Sequence, residues 1–213
     1  MSANTPLYTE ITPPQAWQRT EPKKAHRGGY MSYVNNPKLE FQVGEVDGTK
    51  YCAPFGHSRG APPGIECDEN KRIIEFNVPT GTHLHGWLQA VDKTNVDFMY
   101  KNCDKFFGKT LTMESIEDKY VPCLIKSTDP RYDDRWRIKY IVDDVVDEKS
   151  GRILVSKTNF YAFYPNTTGG TSKMTPITHE FFTKGTNAVY KLTSSGLWVV
   201  SNRFGNAYTA TDI

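Results

Sequence analysis

The sequence predicts an α+β fold that is mainly β, or a β-barrel carrying helices. Strand-like alternation dominates before residue 80 and after residue 122, while helical spacing of apolar residues is confined to the stretch between. Glycine- and proline-bearing turn signals separate the alternating runs. An all-helical fold is excluded. With 213 residues, the chain is long enough to bury a sizeable core.

Residues 1–29 contain Pro6, Pro13, Pro14 and Pro22 and end in Lys23-Lys-Ala-His-Arg-Gly-Gly29, which reads as an extended arm, either lying on or partly loose from a single domain spanning 30–213. Leu39, Phe41 and Val43 alternate with polar residues as a half-buried strand does. Asp47-Gly48 is a tight-hairpin signal, with Tyr51 to Phe55 as the return strand. Gly56 to Gly64 reads as a surface loop, and Arg72 to Val78 as a strand closed by Pro79-Thr-Gly81.

A helical insert follows at about 82–120. Leu84, Leu88 and Val91 fall at i, i+4 and i+7 behind the capping residue Thr82, and the apolar series continues to Phe106-Phe-Gly108, where glycine ends it. Thr112 to Tyr120 predicts a short helix capped by Thr112, with Glu114 in its first turn and Pro122 as its stop.

Beyond Pro122 the cleanest strand is Arg135 to Val142. Trp136, Ile138, Tyr140 and Val142 take one face, and Arg135, Arg137 and Lys139 the other. Arg152 to Val155 predicts a further strand, and Pro165 to Thr175 a long loop. Ala188 to Leu192, a Ser194-Ser-Gly196 turn, Leu197 to Val200 and Ala207 to Ile213 predict a closing meander.

Composition narrows the class without naming an activity. Mean hydropathy is −0.58 and no apolar run approaches the ~20 residues of a membrane span, so a spanning protein is not expected. Met1-Ser-Ala-Asn-Thr-Pro6 lacks the basic and apolar regions of a signal peptide, so the expectation is an intracellular location. The four cysteines, Cys52, Cys67, Cys103 and Cys123, form no CxxC pair and read as ordinary reduced thiols. Asn166-Thr-Thr168 is then only a loop motif.

No enzyme signature survives inspection. Gly108-Lys-Thr110 resembles the end of a P-loop, but the required upstream glycine is replaced by Cys103 and a helix precedes the motif. His83 and His85 diverge on a helix and read as surface histidines rather than metal ligands. Asp133-Asp134 and Asp143-Asp144 read as solvated charges flanking a basic strand. No cofactor or metal is expected.

What remains is an interleaving of bases and aromatics. Arg131-Tyr132, Arg135-Trp-Arg137 and Lys139-Tyr140 crowd one stretch, while Phe160-Tyr-Ala-Phe-Tyr164 places four aromatics in five positions. In a strand, alternation forces at least one of these rings away from the core. From residue 157 to 211 there are five basic residues and one acid. Exposed rings stack unpaired bases and neighbouring cations meet phosphates; a wet face of a twisted sheet would show the same residues.

Phe106-Phe-Gly-Lys-Thr-Leu111, Ile116-Glu-Asp-Lys-Tyr-Val-Pro-Cys-Leu-Ile-Lys126 and Trp136-Arg-Ile-Lys139 resemble a stretch of small single-stranded DNA-binding proteins from large DNA viruses. Thr183-Lys-Gly-Thr186, Gly196-Leu-Trp198 and Arg203-Phe-Gly205 are similar to the last strands of the oligonucleotide-binding (OB) barrel in phage helix-destabilising proteins. The resemblance covers residues 98–213. It implies an OB-like β-barrel with a helical insert that coats single-stranded DNA, without reading sequence, during viral or phage replication, recombination or repair. The setting it implies is host cytoplasm, nucleus or a viral replication site, with replication proteins or further copies of this chain as added partners. The acidic tail usual in those proteins has no counterpart here, and the N-terminal arm is not explained by the resemblance.

On this reading Lys109, Lys126, Arg131, Arg135, Arg137, Lys139 and Arg203 contact phosphate. Tyr132, Tyr161, Tyr164 and Phe204 stack bases, while Trp136, Trp198 and Tyr140 belong to the core. The competing expectation is a viral structural or assembly protein with a β-sandwich fold, whose exposed aromatics serve protein contacts.

Overall fold

The computed structural model describes residues 6–11, 13–24, 29–33, 40–43, 56–59, 71–146, 150–164, 173–181 and 188–213. The fold is mainly β, with two α-helices set between strands. Before the helices lie β1 (Lys23–Lys24), β2 (Tyr30–Ser32), β3 (Glu40–Val43), β4 (Gly56–Arg59) and β5 (Lys71–Val78). Helices α1 (His83–Phe107) and α2 (Met113–Lys119) follow, then the short β6 (Tyr120–Val121) and β7 (Leu124–Ile125). The remaining strands are β8 (Asp134–Ile141), β9 (Val145–Val146), β10 (Ile153–Val155), β11 (Phe160–Tyr164), β12 (Lys173–Ile177), β13 (Tyr190–Val200) and β14 (Arg203–Asp212).

Ten strands form one mixed sheet with the order β1-β2-β13-β14-β8-β5-β4, to which β3, β6 and β7 attach at β13, β14 and β8. The path is open, and no closed barrel is seen among the described residues. Strands β9 and β10 form one separate two-stranded ribbon, and β11 and β12 another. The two halves of the large sheet meet where β14 runs parallel to β8. The predicted loop at Gly56 to Gly64 is corrected in its first four residues, since Gly56–Arg59 pair with Glu75 to Arg72. The Asp47-Gly48 hairpin with its return strand Tyr51 to Phe55, Cys52, Cys67 and the Asn166 sequon lie outside the described residues.

Helix α1 forms where the sequence predicts it. The Thr82 hydroxyl accepts from the His85 N–H, and Gly108 closes the helix at φ 68°, a left-handed value suited to glycine. Leu84, Leu88, Val91, Asn95, Met99, Cys103 and Phe106 form its buried stripe. The first half of the stripe packs with Ile74, Val78, Trp136, Ile138, Tyr190, Leu192 and Tyr208 on one face of the sheet. The second half joins Ile116, Tyr120, Leu197, Val199 and Phe204 in a further cluster. Near its end the helix is distorted at Asn102, whose side-chain amide donates to the Phe98 carbonyl at 2.9 Å and so competes with the backbone ladder. The second helix has its cap in the Thr112 hydroxyl, which accepts from the Ser115 N–H, and Glu114 in its first turn.

The predicted Ser194-Ser-Gly196 turn is instead an irregularity within one continuous strand, β13. Gly196 has φ 85°, and a β-carbon there would stand 2.7 Å from the Ser32 carbonyl oxygen. Glycine therefore lets β2 lie against the bulge. The real reversal is Ser201-Asn202, with φ 48° and 67°, the two positive values that a tight primed hairpin requires. The predicted loop at Pro165 to Thr175 likewise ends early, because Lys173 to Thr175 belong to β12.

The N-terminal segment lies on the domain. Tyr8 and Trp17 are buried in the main cluster, each with its ring edge-on to Trp87. Backbone bonds from Tyr8 to Gln42 and from Thr20 to Tyr33 hold the segment in place.

Candidate nucleic-acid interface

Strand β8 alternates as its sequence requires. Trp136, Ile138 and Tyr140 are buried, while Arg135 and Arg137 are half-buried and Lys139 is exposed. The apolar side meets α1 through Trp87, whose ring centre lies 6.4 Å from that of Trp136; the basic side faces away. Neither arginine is merely wet. Glu75, opposite Arg137 on β5, accepts from Arg135 Nη1 at 3.1 Å, from Arg137 Nε at 2.6 Å and from Arg137 Nη2.

At the start of β8 a second carboxylate gathers three donors. Asp134 accepts from Lys126 Nζ at 2.7 Å and from the Ser127 N–H at 2.9 Å, and its Oδ2 lies 2.9 Å from His85 Nε2. Desolvation works to raise this carboxyl. Hydrogen bonds from Lys126, Ser127 and His85 outweigh it and bring the group down to about 2. Two expectations are corrected: His85 and Asp134 are buried rather than a helix-surface histidine and a solvated charge. The reason is spatial, since the first turn of α1 sits directly over the entry to β8. Asp143 and Asp144 are exposed, as expected.

The loop entering β8 carries Arg131 and Tyr132. Arg131 donates to the Asp129 carboxylate and lies 5.9 Å from the centre of the Tyr132 ring, which is 65% exposed. At the other end of β8, Thr158 binds Ile141 through its backbone N–H and its hydroxyl. That bond seats the β11–β12 ribbon beside Tyr140, whose ring is 5.6 Å from that of Phe160. Phe160 is buried and Tyr161 half-buried; Phe163 and Tyr164 are 60% and 57% exposed. Tyr164 stands opposite Lys173, and Phe163 opposite Met174.

In order along β8 come Lys126, Arg131 and Tyr132 at its entry, Arg135, Arg137 and Lys139 on its outward side, and beyond its far end the ribbon, whose Phe160 packs on Tyr140 and whose Tyr161 and Tyr164 take opposite faces of β11. Lys109 and Arg203 do not join this succession. Lys109 follows the C-terminus of α1, and Phe107 there touches Phe204 beside Arg203. His85 and Phe107 lie near opposite ends of α1, roughly 33 Å apart along an unbent helix. Both cations are exposed. Phe204, expected to stack a base, is fully buried against Tyr120, because alternation along β14 turns it to the α1 side. Trp136 and Tyr140 are core residues as expected, and Trp198 is half-buried.

A buried polar network that the sequence does not reveal lies beneath α1. Asp92 accepts from the Tyr120 hydroxyl at 2.6 Å and from the N–H groups of Cys123 and Leu124. Asn95 donates to the Tyr120 oxygen and accepts from Arg19 of the N-terminal segment. Burial raises the Asp92 carboxyl and lowers the Arg19 guanidinium to about 10. Burial, reinforced by Asp92, also pushes the Cys123 thiol well up, the reverse of an activated nucleophile.

Among the described residues no group of three or more His, Cys, Asp or Glu is arranged to hold a metal. No described helix is long and apolar enough to cross a membrane. Comparison of the chain with protein-family models, curated proteins and solved structures finds no match.

Proposed function

We propose that this protein binds single-stranded nucleic acid without reading base sequence. The observation that carries the proposal is the succession along β8: three cations on its outward side, an exposed Arg131–Tyr132 pair at one end and an aromatic ribbon at the other. Guanidinium and ammonium groups attract the phosphates, which supply most of such affinity. Rings with a free face stack bases of any identity. The described residues offer no separate helix on the basic side to enter a duplex groove, so the preferred ligand is a flexible single strand.

The finer reading is an OB-type architecture, a partly open barrel that binds strands across its sheet face and loops. A role in viral or phage replication, recombination or repair goes with it. The mainly β fold is the part of that reading the described residues share; its OB-type detail is supported by the sequence resemblance alone, since the large sheet has ten strands and is open.

The test is a fluorescence anisotropy titration with labelled oligo-dT between 50 and 300 mM salt. Neutralising three to six phosphates gives a log–log slope of roughly −2 to −4, with weaker binding to blunt duplex. A flat salt response, or equal affinity for duplex and single strand, contradicts the proposal.

Assembly is the second reading, favoured by Phe163, Met174 and Phe181, which are 60%, 40% and 70% exposed and which phosphate contacts do not require. Apolar self-association holds or strengthens as salt rises, so the salt series separates the two.

A further inference from the structure

We infer that Glu75 attenuates phosphate binding on the basic face of β8, holding its two arginines in place while cancelling one of their charges. The inference rests on the nucleic-acid reading above and deepens it. Both Glu75 oxygens are used: one meets Arg135 Nη1, the other Arg137 Nε and Nη2. Its side chain is 15% exposed, against 36% for each arginine, so the carboxylate sits below two guanidiniums that reach outward. Each guanidinium has five N–H donors, and Glu75 engages two on Arg137 and one on Arg135. The others have no partner among the described residues and can meet an anion arriving from solvent.

The charge arithmetic is local. Two arginines and one glutamate leave a single net positive charge where the sequence shows two cations. The carboxylate lies within hydrogen-bond distance and largely out of solvent, so salt screens it poorly from the arginines. A phosphate approaching the pair meets an attraction diminished by about one contact. The restraint keeps affinity moderate along a surface that a strand must also leave.

Glu75→Gln removes the charge and keeps a carbonyl acceptor for the guanidiniums. Regaining one phosphate contact steepens the log–log salt slope by about 0.7 and tightens oligo-dT binding about fourfold at 0.15 M salt. Glu117→Gln, an equal change of net charge on exposed α2, serves as the control and is expected to change neither value appreciably. Asn77→Asp tests the rule with the opposite sign and leaves Glu75 in place. Asn77 is exposed opposite Arg135, and its variant is expected to bind about fourfold more weakly with a slope shallower by about 0.7. This variant keeps the inference testable if Glu75→Gln does not fold, which a thermal melt of each variant establishes.

Equal gains from Glu75→Gln and Glu117→Gln would mean a whole-molecule charge effect and overturn the inference. So would wild-type binding with Glu75→Gln unchanged or weaker, which leaves the nucleic-acid reading standing. Failure of every variant, wild type included, to bind at 50 mM salt overturns both readings. Binding by Glu75→Gln alone supports the inference in its strongest form.

Discussion

Asp134 shows how much a single residue can conceal. In the sequence it is half of an Asp133-Asp134 pair beside a basic strand; in the fold it accepts from Lys126 and Ser127 and meets His85, 49 positions away in the chain. A carboxyl depressed from its usual ~3.9 to about 2 stabilises the fold above about pH 4 and loses that contribution as pH falls toward 2, for about 2–3 kcal/mol. Urea melts at pH 6 and pH 2.5 check this. The wild type is expected to lose roughly two-thirds of that contribution between pH 6 and pH 2.5, and Asp134→Asn to be weaker at pH 6 but flatter between the two; parallel profiles would contradict it. Trp136 is the opposite case, legible from alternation alone and fully buried. Trp136→Ala is expected to cost ~3–5 kcal/mol in the same assay. Phe204 was not legible as core, since Arg203-Phe204 looks like every other basic–aromatic pair and only the orientation of β14 decides which way its ring turns.

At the scale of elements, local chemistry is legible in the sequence and long-range pairing is not. The caps Thr82, Gly108 and Thr112 act as their residue types predict, because capping depends on neighbours within a turn. Ser194-Ser-Gly196 has the composition of a turn but forms a bulge, because the reason for glycine is β2 passing 2.7 Å from the site of its β-carbon. Gly196→Ala is therefore expected to destabilise the protein by more than the ~1 kcal/mol of an ordinary strand glycine change, measured by thermal melting; an unchanged midpoint would show that β2 is free to move aside. The aromatic run is a strand paired with Lys173–Ile177, and both rings at its outer end, Phe163 and Tyr164, are exposed because the ribbon leaves the core there. Tyr164→Ala is expected to lose ~1–3 kcal/mol of oligo-dT affinity with little change in melting temperature. Removing Arg135, Arg137 and Lys139 together is a poor test of the basic face, since it strips the largely buried Glu75 carboxylate of both its arginines.

Over the whole molecule, the N-terminal segment and α1 link parts of the fold that are far apart in sequence. Tyr8 and Trp17 fill the main cluster and Arg19 reaches the Asp92–Tyr120 network through Asn95, so the proline-rich arm is a structural strap. Its alternatives in the sequence, docked or loose, differ only in contacts that no local pattern records. The same scale corrects the site: the expected phosphate contacts divide into a succession along β8 and a separate pair, Lys109 and Arg203, at the far end of α1. The central claim is that a single strand lies along the first group. Photo-crosslinking of the full chain to an iodouridine-substituted oligo-dT, with the adducts mapped by mass spectrometry, tests it most directly. The account predicts adducts at Tyr132, Tyr161 and Tyr164 that fade as salt rises; salt-insensitive labelling, or adducts confined to Tyr30 and Tyr100 around the second half of α1, would contradict it.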